Sequence, residues 1–345
     1  MERQLNEVEQ VNQASFYENL DELKLSASAI KLLLDSPKYY FERYVLGNKE
    51  EKRGKHFDEG SLVHAFVLEP EHVQENFVNM GVAAPSDKTK DCIDYLLALE
   101  RSATELEEYF PEIVEFLQEI NLHQALVDDK KPNKEGFMFT GDEKRVAKIV
   151  TDNTREYFRL MVEAREKTIV DSASWQKCLE KAEAINSNLH ARFLLNATKS
   201  TDEIRFELEL SDKPAELKYQ IKGVLDVIKV DRETKTIYVS DVKTTNGTLK
   251  DFVTSSEKFN YWLQEAIYNR LAQSLTVGAA FDYKVVFHFI VVDRNNDVYC
   301  FPVSEESSAM WNENLKELIN VKVDYHIAKQ DFTLPYEFAN NLISL

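Results

Sequence analysis

Two aspartates and a lysine in the middle of the chain, Asp226 and the run Asp241-Val242-Lys243, fall where an amphipathic β-hairpin would carry apolar side chains. Ile221 to Val230 and Thr236 to Lys243 are both rich in Val and Ile, and the polar stretch Asp231-Arg232-Glu233-Thr234-Lys235 separates them, which reads as strand, turn, strand. With a loop of Arg232 to Lys235, antiparallel pairing sets Val230 opposite Ile237, Ile228 opposite Val239, Asp226 opposite Asp241 and Val224 opposite Lys243. Strand side chains alternate between faces, so all eight share one face, apolar at one end and ending in two carboxylates beside an ammonium. Like charges directly opposite destabilise a sheet, and burying unpaired carboxylates is costly unless they take up protons. Two readings remove the conflict: an Asp–Lys ion pair at an exposed hairpin end, or a divalent cation held between the aspartates. The hairpin alone leaves both open.

The elements that must position these residues are legible around them. Residues 1–24 form a polar, acidic N-terminal extension, and the ordered fold begins at Leu25-Ser26-Ala27-Ser28, where Ser26 or Ser28 caps a helix running to Leu34. Ser36-Pro37 opens a second helix whose aromatics Tyr39, Tyr40, Phe41 and Tyr44 are read as packing residues, with base stacking the lesser alternative. After a Lys- and Glu-rich loop, Gly60 to Glu69 is an apolar helix stopped by Pro70, with His64 inside it. Taken alone, a histidine there is a core residue before it is a ligand. From about Asp87 to Ala197 the pattern is helical, with a break near Lys130 to Gly136. Strands follow at Ile204 to Leu210 and in the hairpin, then a helix from Ser256 to Ser274, strands at Tyr283 to Val292 and Asp297 to Val303, and a helix from Ser304 to Lys329. That order gives an α/β class with a mixed central sheet flanked by helices. Tyr261, Gln264 and Tyr268 form one stripe on the penultimate helix.

Composition narrows the function. A chain of 345 residues with 43% hydrophobic content builds a sizeable core. No apolar run approaches the roughly 18 residues that span a bilayer, and the start is no signal peptide, so a soluble protein with no membrane partner is expected. Cys92, Cys178 and Cys300 are too few and too scattered for a disulfide framework, a CxxC metal site or an iron–sulfur cluster. Neither a phosphate-cradling P-loop nor a GxSxG elbow is present, against ATPase and serine-hydrolase chemistry. The net charge of −18 opposes simple nucleic-acid binding, unless a local basic groove lies within an acidic surface. His56, His72, His123, His190, His288 and His326 match no ligand spacing.

Taken in order, Gly60-x-x-x-His64, Gly223-x-x-Asp226, Asp241-Val242-Lys243-Thr244-Thr245 and Tyr261-x-x-Gln264-x-x-x-Tyr268 resemble the PD-(D/E)XK nuclease superfamily. The nearest likeness is to the exodeoxyribonuclease VIII catalytic domain and related phage nucleases, over about residues 25–305. The sequence departs from the pattern at Leu225, where proline precedes the first aspartate in the superfamily.

The resemblance implies a restriction-endonuclease-like fold, a single nuclease domain over 25–345 with a helical insertion at about 80–200. His64, Asp226, Asp241 and the Val242 carbonyl would be metal ligands, for Mg²⁺ with Mn²⁺ able to substitute. Lys243 would orient or help deprotonate the attacking water and stabilise phosphate charge, with Gln264 and Tyr268 beside the metal centre. Glu203, or alternatively Glu207, would add an acidic side chain at the margin, and Tyr261 is left between core and site. The implied activity is 5′-to-3′ exonucleolysis of linear double-stranded DNA, leaving 3′ overhangs for a recombinase or single-strand annealing protein. A homo-oligomeric ring and a cytoplasmic setting in a bacterial or phage-infected cell go with it. The rivals are a structure-specific or single-strand nuclease, a defence endonuclease, and a catalytically silent DNA-binding scaffold.

Overall fold

The computed structural model describes residues 7–48, 55–99, 101, 103–127, 142–164, 167–276 and 282–342. The chain forms two compact units, one of residues 1–70 and 179–345 and the other of residues 71–178. Among the described residues no helix is long and apolar enough to cross a membrane.

The first unit opens with a helix at Glu7–Glu18, inside the stretch expected as a polar extension. Side-chain amides hold it: Asn12 Nδ2 donates to the Leu46 carbonyl at 2.8 Å, and Asn48 Nδ2 donates to Glu9 at 2.8 Å. Strand β1, Lys24–Leu25, leads into the helix Ala27–Asp35, whose N-cap Ser26 accepts from the Ala29 amide. Pro37 opens the short helix Pro37–Tyr40. The helix carrying His64 spans Lys55–Leu68, longer than its apolar part suggested.

The second unit is not purely helical. Strands β2, Phe77–Met80, and β3, Thr168–Asp171, pair in parallel, joining segments too distant in sequence for local periodicity to reveal. Helices Asp87–Ala98 and Asp152–Glu163 bury Cys92, Ile93, Leu96 and Phe158 in a core with Tyr109 and Ile113. The helix break expected near Lys130 to Gly136 lies outside the described residues.

Returning to the first unit, the chain lays down β4 (Glu203–Asp212), β5 (Gln220–Asp231), β6 (Thr236–Thr244), β7 (Lys284–Val292) and β8 (Val298–Pro302). With β1 they make a six-stranded mixed sheet in the order β1-β5-β6-β7-β8, with β4 also paired to β5. β6 and β7 run parallel, while β4/β5, β5/β6 and β7/β8 are antiparallel. This is the mixed-sheet, helix-flanked α/β architecture expected of a restriction-endonuclease-like fold.

The single helix expected from Ser256 to Ser274 is two, Leu249–Lys258 and Tyr261–Ser274. Asn260 separates them in the left-handed region at φ 52°, a conformation that asparagine tolerates better than most residues. Leu263, Ala266, Ile267 and Leu271 of the second helix pack on Ile228, Val239, Phe287 and Phe289 of the sheet. The first turn of that helix therefore sits over the carboxyl end of β6. β6 is buried on both faces from Val239 to Val242 and β7 from Phe289 to Val292, and this helix covers one of those faces.

β4 occupies one edge of β5 from Ile221 to Val230, so β6 and β1 share the other edge. On that edge β6 is laddered to Val227–Asp231 and β1 to Gln220–Ile221, which leaves residues 222–226 with no strand beside them. The sheet forks there.

Candidate metal-binding active site

The expected pairs Val230↔Ile237 and Ile228↔Val239 are present, but the β5/β6 ladder ends at Val227↔Ser240, one step before Asp226 and Asp241. The two aspartates thus flank the fork rather than form a ladder pair, and splaying relieves the repulsion between like charges directly opposite. The Asp226 carboxylate takes up the freed strand edge: Oδ2 accepts from the Val242 amide at 2.8 Å. Val242 therefore meets Asp226 through its N–H.

On the other edge of β5 the ladder with β4 runs Phe206↔Val227 and Leu208↔Leu225, placing Glu207 opposite Asp226. Glu207 has φ 48°, a kink that leaves the register on either side unchanged. His64 lies against both: Nε2 is 3.0 Å from Asp226 Oδ2, and Nδ1 is 3.4 Å from Glu207 Oε1. The ligand atoms of His64, Glu207 and Asp226 all lie within 4.8 Å of one another, so the trio could hold a metal ion. The His64 helix reaches the sheet where Gly60 faces Thr244, with 3.4 Å between the side-chain oxygen and the site of an added Cβ. A bulky side chain at Gly60 would lift the helix and His64 with it.

Asp241 is wholly buried and faces a second set of groups. Its Oδ2 is 2.6 Å from Lys243 Nζ, and its Oδ1 accepts from Gln264 Nε2 at 2.5 Å. Asp241 is thus tied to Lys243 and Gln264, while the trio that converges on one point is His64, Glu207 and Asp226. Tyr268, one turn beyond Gln264, packs over Gly223, where an added Cβ would come within 2.6 Å of its ring. Tyr261 is a packing aromatic, its ring 5.5 Å from that of Phe252 and 5.7 Å from that of Phe289, and it also carries the Lys243 ammonium 5.3 Å from its centroid.

Of the two alternative acids on β4, Glu207 joins the group. Glu203 lies at the far end of the strand opposite Val230, where Arg205 and Arg232 bind its carboxylate and hold its pKa down. Sequence spacing could not separate the two, because the left-handed kink that aims Glu207 leaves no mark in the period-two pattern. Of the remaining histidines, His72 pairs with Glu75 on the surface, His326 is buried with Nδ1 2.6 Å from the Asp331 carbonyl, and His190 and His288 line a separate cleft. The side chains of His56 and His123 lie outside the described residues.

The electrostatics describe a site short of positive charge. Burial, reinforced by Asp226, pushes Glu207 up to about 7. Burial and the neighbouring Asp226 charge push Asp241 up to about 6, against the pull of Lys243. His64 is disfavoured as a cation by its burial, yet its hydrogen bond to Asp226 and the carboxylates around it hold its pKa above the ordinary value. Lys243 likewise stays above its usual pKa: burial opposes its charge, and Asp241 and Asp226 outweigh it. Glu207 Oε1 is buried and accepts no hydrogen bond from any described residue. An orphaned carboxylate oxygen beside an imidazole and a second carboxylate is a donor set that fits a divalent cation of the Mg²⁺ or Mn²⁺ kind.

Lys31 also belongs to this neighbourhood and went unseen in the sequence. It stands 5.5 Å from the Tyr261 centroid, on the ring that Lys243 also approaches. No spacing rule joins a helix near the N-terminus to a strand two hundred residues on.

No known family profile matches the chain, and no curated protein is similar to it. Among solved structures, a protein of Eubacterium rectale provisionally described as an exonuclease is similar to it with a TM-score of 0.43 and 12% identity, over 100% of this chain and 95% of that one.

Proposed function

We propose that the chain is a divalent-metal-dependent deoxyribonuclease. The observation that carries this reading is the fork: two buried carboxylates from adjacent strands, one beside His64 and Glu207 and the other bound to Lys243 and Gln264. His64, Glu207 and Asp226 would hold the ion, with Asp241 next to it. When bound, such an ion lowers the pKa of a coordinated water and neutralises charge gathering on a phosphate.

The chain's own groups supply the rest. Lys243, kept as an ammonium by Asp241 and Asp226, offers a fixed positive charge to a phosphoryl oxygen and a donor to the attacking water. As an ammonium it cannot itself accept the proton of that water, which narrows the role expected of it. Gln264 fixes the Asp241 carboxylate, and Tyr268, whose phenol burial keeps protonated, braces Gln264 from the next turn.

The finer reading rests on the sequence resemblance. It is 5′-to-3′ exonucleolysis of linear double-stranded DNA with Mg²⁺, a 3′ overhang as product, a ring-shaped homo-oligomer, and a recombinase or annealing protein as the next actor. In it, residues 25–345 work as one nuclease domain with a helical insertion at about 80–200.

The test is digestion of duplexes labelled separately at each end, and of a closed circle, with Mg²⁺, Mn²⁺ or chelator. Loss of the 5′ label first, an intact circle and silence in chelator are expected. A nicked circle points to an endonuclease. Hydrolysis that survives both Asp226→Ala and Asp241→Ala refutes the mechanism, and absence of any hydrolysis favours a silent DNA-binding scaffold.

A further inference from the structure

The fork opens into a cleft of about 400 Å³ beside the carboxylates. Its walls come from the start of the Ala27–Asp35 helix (Ser26, Ser28, Lys31), the length of β5 left open on one edge (Lys222) and the Gln264 helix (Gln264, Tyr268). It exists because β1 rejoins β5 only at Gln220–Ile221, which sets the N-terminal helix across the gap that β6 leaves.

The chemistry of the lining is uneven. Two ammoniums, three hydroxyls and a carboxamide face the space, against the single carboxylate of Glu209. Ser26 and Ser28 lie 3.0 Å apart through their hydroxyls, so at least one is free to turn its proton outward. Lys31 is held below its usual pKa by burial and by the charge of Lys243, a cost that an anion in the cleft would remove. Hydroxyls, backbone-side amides and lysines are the groups that contact phosphate oxygens in nucleic-acid complexes. Gln264, which lines the cleft, also binds Asp241, and the Tyr261 ring lies beside both Lys31 and Lys243, so the cleft borders the reaction centre.

We propose that this cleft is a phosphodiester subsite, in which Lys31, Lys222 and the Ser28 hydroxyl grip a backbone phosphate of the same strand whose neighbouring linkage meets Asp226, Asp241 and Lys243. The proposal rests on the nuclease reading and extends it by naming what holds the strand. It also assigns work to a helix that the catalytic residues do not use.

The experiment is a coupling cycle read by binding. Short labelled duplexes, each with one uncharged methylphosphonate linkage stepped along the first few positions of either strand, are bound in Ca²⁺ by unaltered protein, Lys31→Ala and Lys222→Ala, with fluorescence anisotropy as readout. On the unmodified duplex each substitution should weaken binding about tenfold and lower the salt slope by about 1. At one linkage position the neutral duplex should lose the same affinity with unaltered protein, and Lys31→Ala should then cost nothing more. Lys31→Arg should retain most of the affinity, which separates a charge contact from a folding defect. Strictly additive losses at every linkage, or an unchanged affinity in both lysine variants, overturn the proposal. Hydrolysis in Mg²⁺ is scored separately: if the unaltered protein cleaves nothing, the nuclease reading falls, while the binding cycle still decides the subsite.

Discussion

Gly223→Ala is the substitution whose consequence the geometry fixes most closely. The added Cβ would meet Tyr268 Cε1 at 2.6 Å, Tyr268 Cδ1 at 3.1 Å and Leu271 Cδ1 at 3.4 Å. Ordinary carbon contacts begin near 3.5 Å, so the ring must retreat by about 1 Å. The Phe287 ring is among its neighbours, with centroids 6.4 Å apart. Overpacking of this kind costs about 1–3 kcal/mol. The displacement also travels: Tyr268 bears on Gln264, and Gln264 donates to Asp241 at 2.5 Å. A misplacement of about 1 Å near the chemistry lowers a rate by up to about 10²-fold. Urea unfolding of Gly223→Ala, Tyr268→Ala and the double variant checks the cause. Removing the ring removes the clash, so the double variant should be no less stable than Tyr268→Ala, a non-additivity of about 1–3 kcal/mol. Costs that add to within about 0.5 kcal/mol would refute the reasoning, because the ring would then not be what the new methyl group strikes.

Three further outcomes are expected. Glu207 titrates near 7 when folded, above its ordinary 4.5, because burial disfavours its charge. Below 4.5 it is protonated in both states, between the two values only the folded chain keeps the proton, and above 7 the whole penalty is present. Stability of the metal-free protein should therefore fall as pH rises through that window, and Glu207→Gln should flatten the fall by on the order of 2 kcal/mol in urea midpoints at pH 5.5 and 8. Lys243→Ala should leave the fold in place and lower DNA hydrolysis by about 10²–10³-fold at saturating Mg²⁺, measured by initial rates, since it removes a fixed charge aimed at the phosphate. Asn260→Val should destabilise by about 1–2 kcal/mol and Asn260→Gly should not, in thermal unfolding, because only the branched residue resists the left-handed backbone between the two helices.

Much of the site could be read without coordinates. Alternating Val and Ile set the register of β5 and β6 as far as Val227↔Ser240, and Asp226, Asp241 and Lys243 stood out as charge in apolar positions. The stripe Tyr261, Gln264, Tyr268 followed from helical spacing, although the helix that carries it starts only after Asn260. Ser26 and Pro37 announced their helix starts by capping chemistry alone. These features are local, and local preferences leave periodic or residue-specific marks.

Other facts depended on which segments meet. The choice of Glu207 over Glu203 came from a left-handed kink opposite Asp226, and the division of the acids into a His64 trio and an Asp241–Lys243–Gln264 group came from side-chain orientation. The β2/β3 pair and the docking of β1 beside β5 join residues far apart in the chain, and such pairings have no local signature. What the amino-acid sequence determined by itself was the set of chemical groups and the strand that bears the central two, because periodicity records which face a residue will occupy. What only the tertiary structure decided was that β6 parts from β5 at those two aspartates while β1 closes the gap further along, because strand pairing is a competition among distant edges for the same backbone hydrogen bonds.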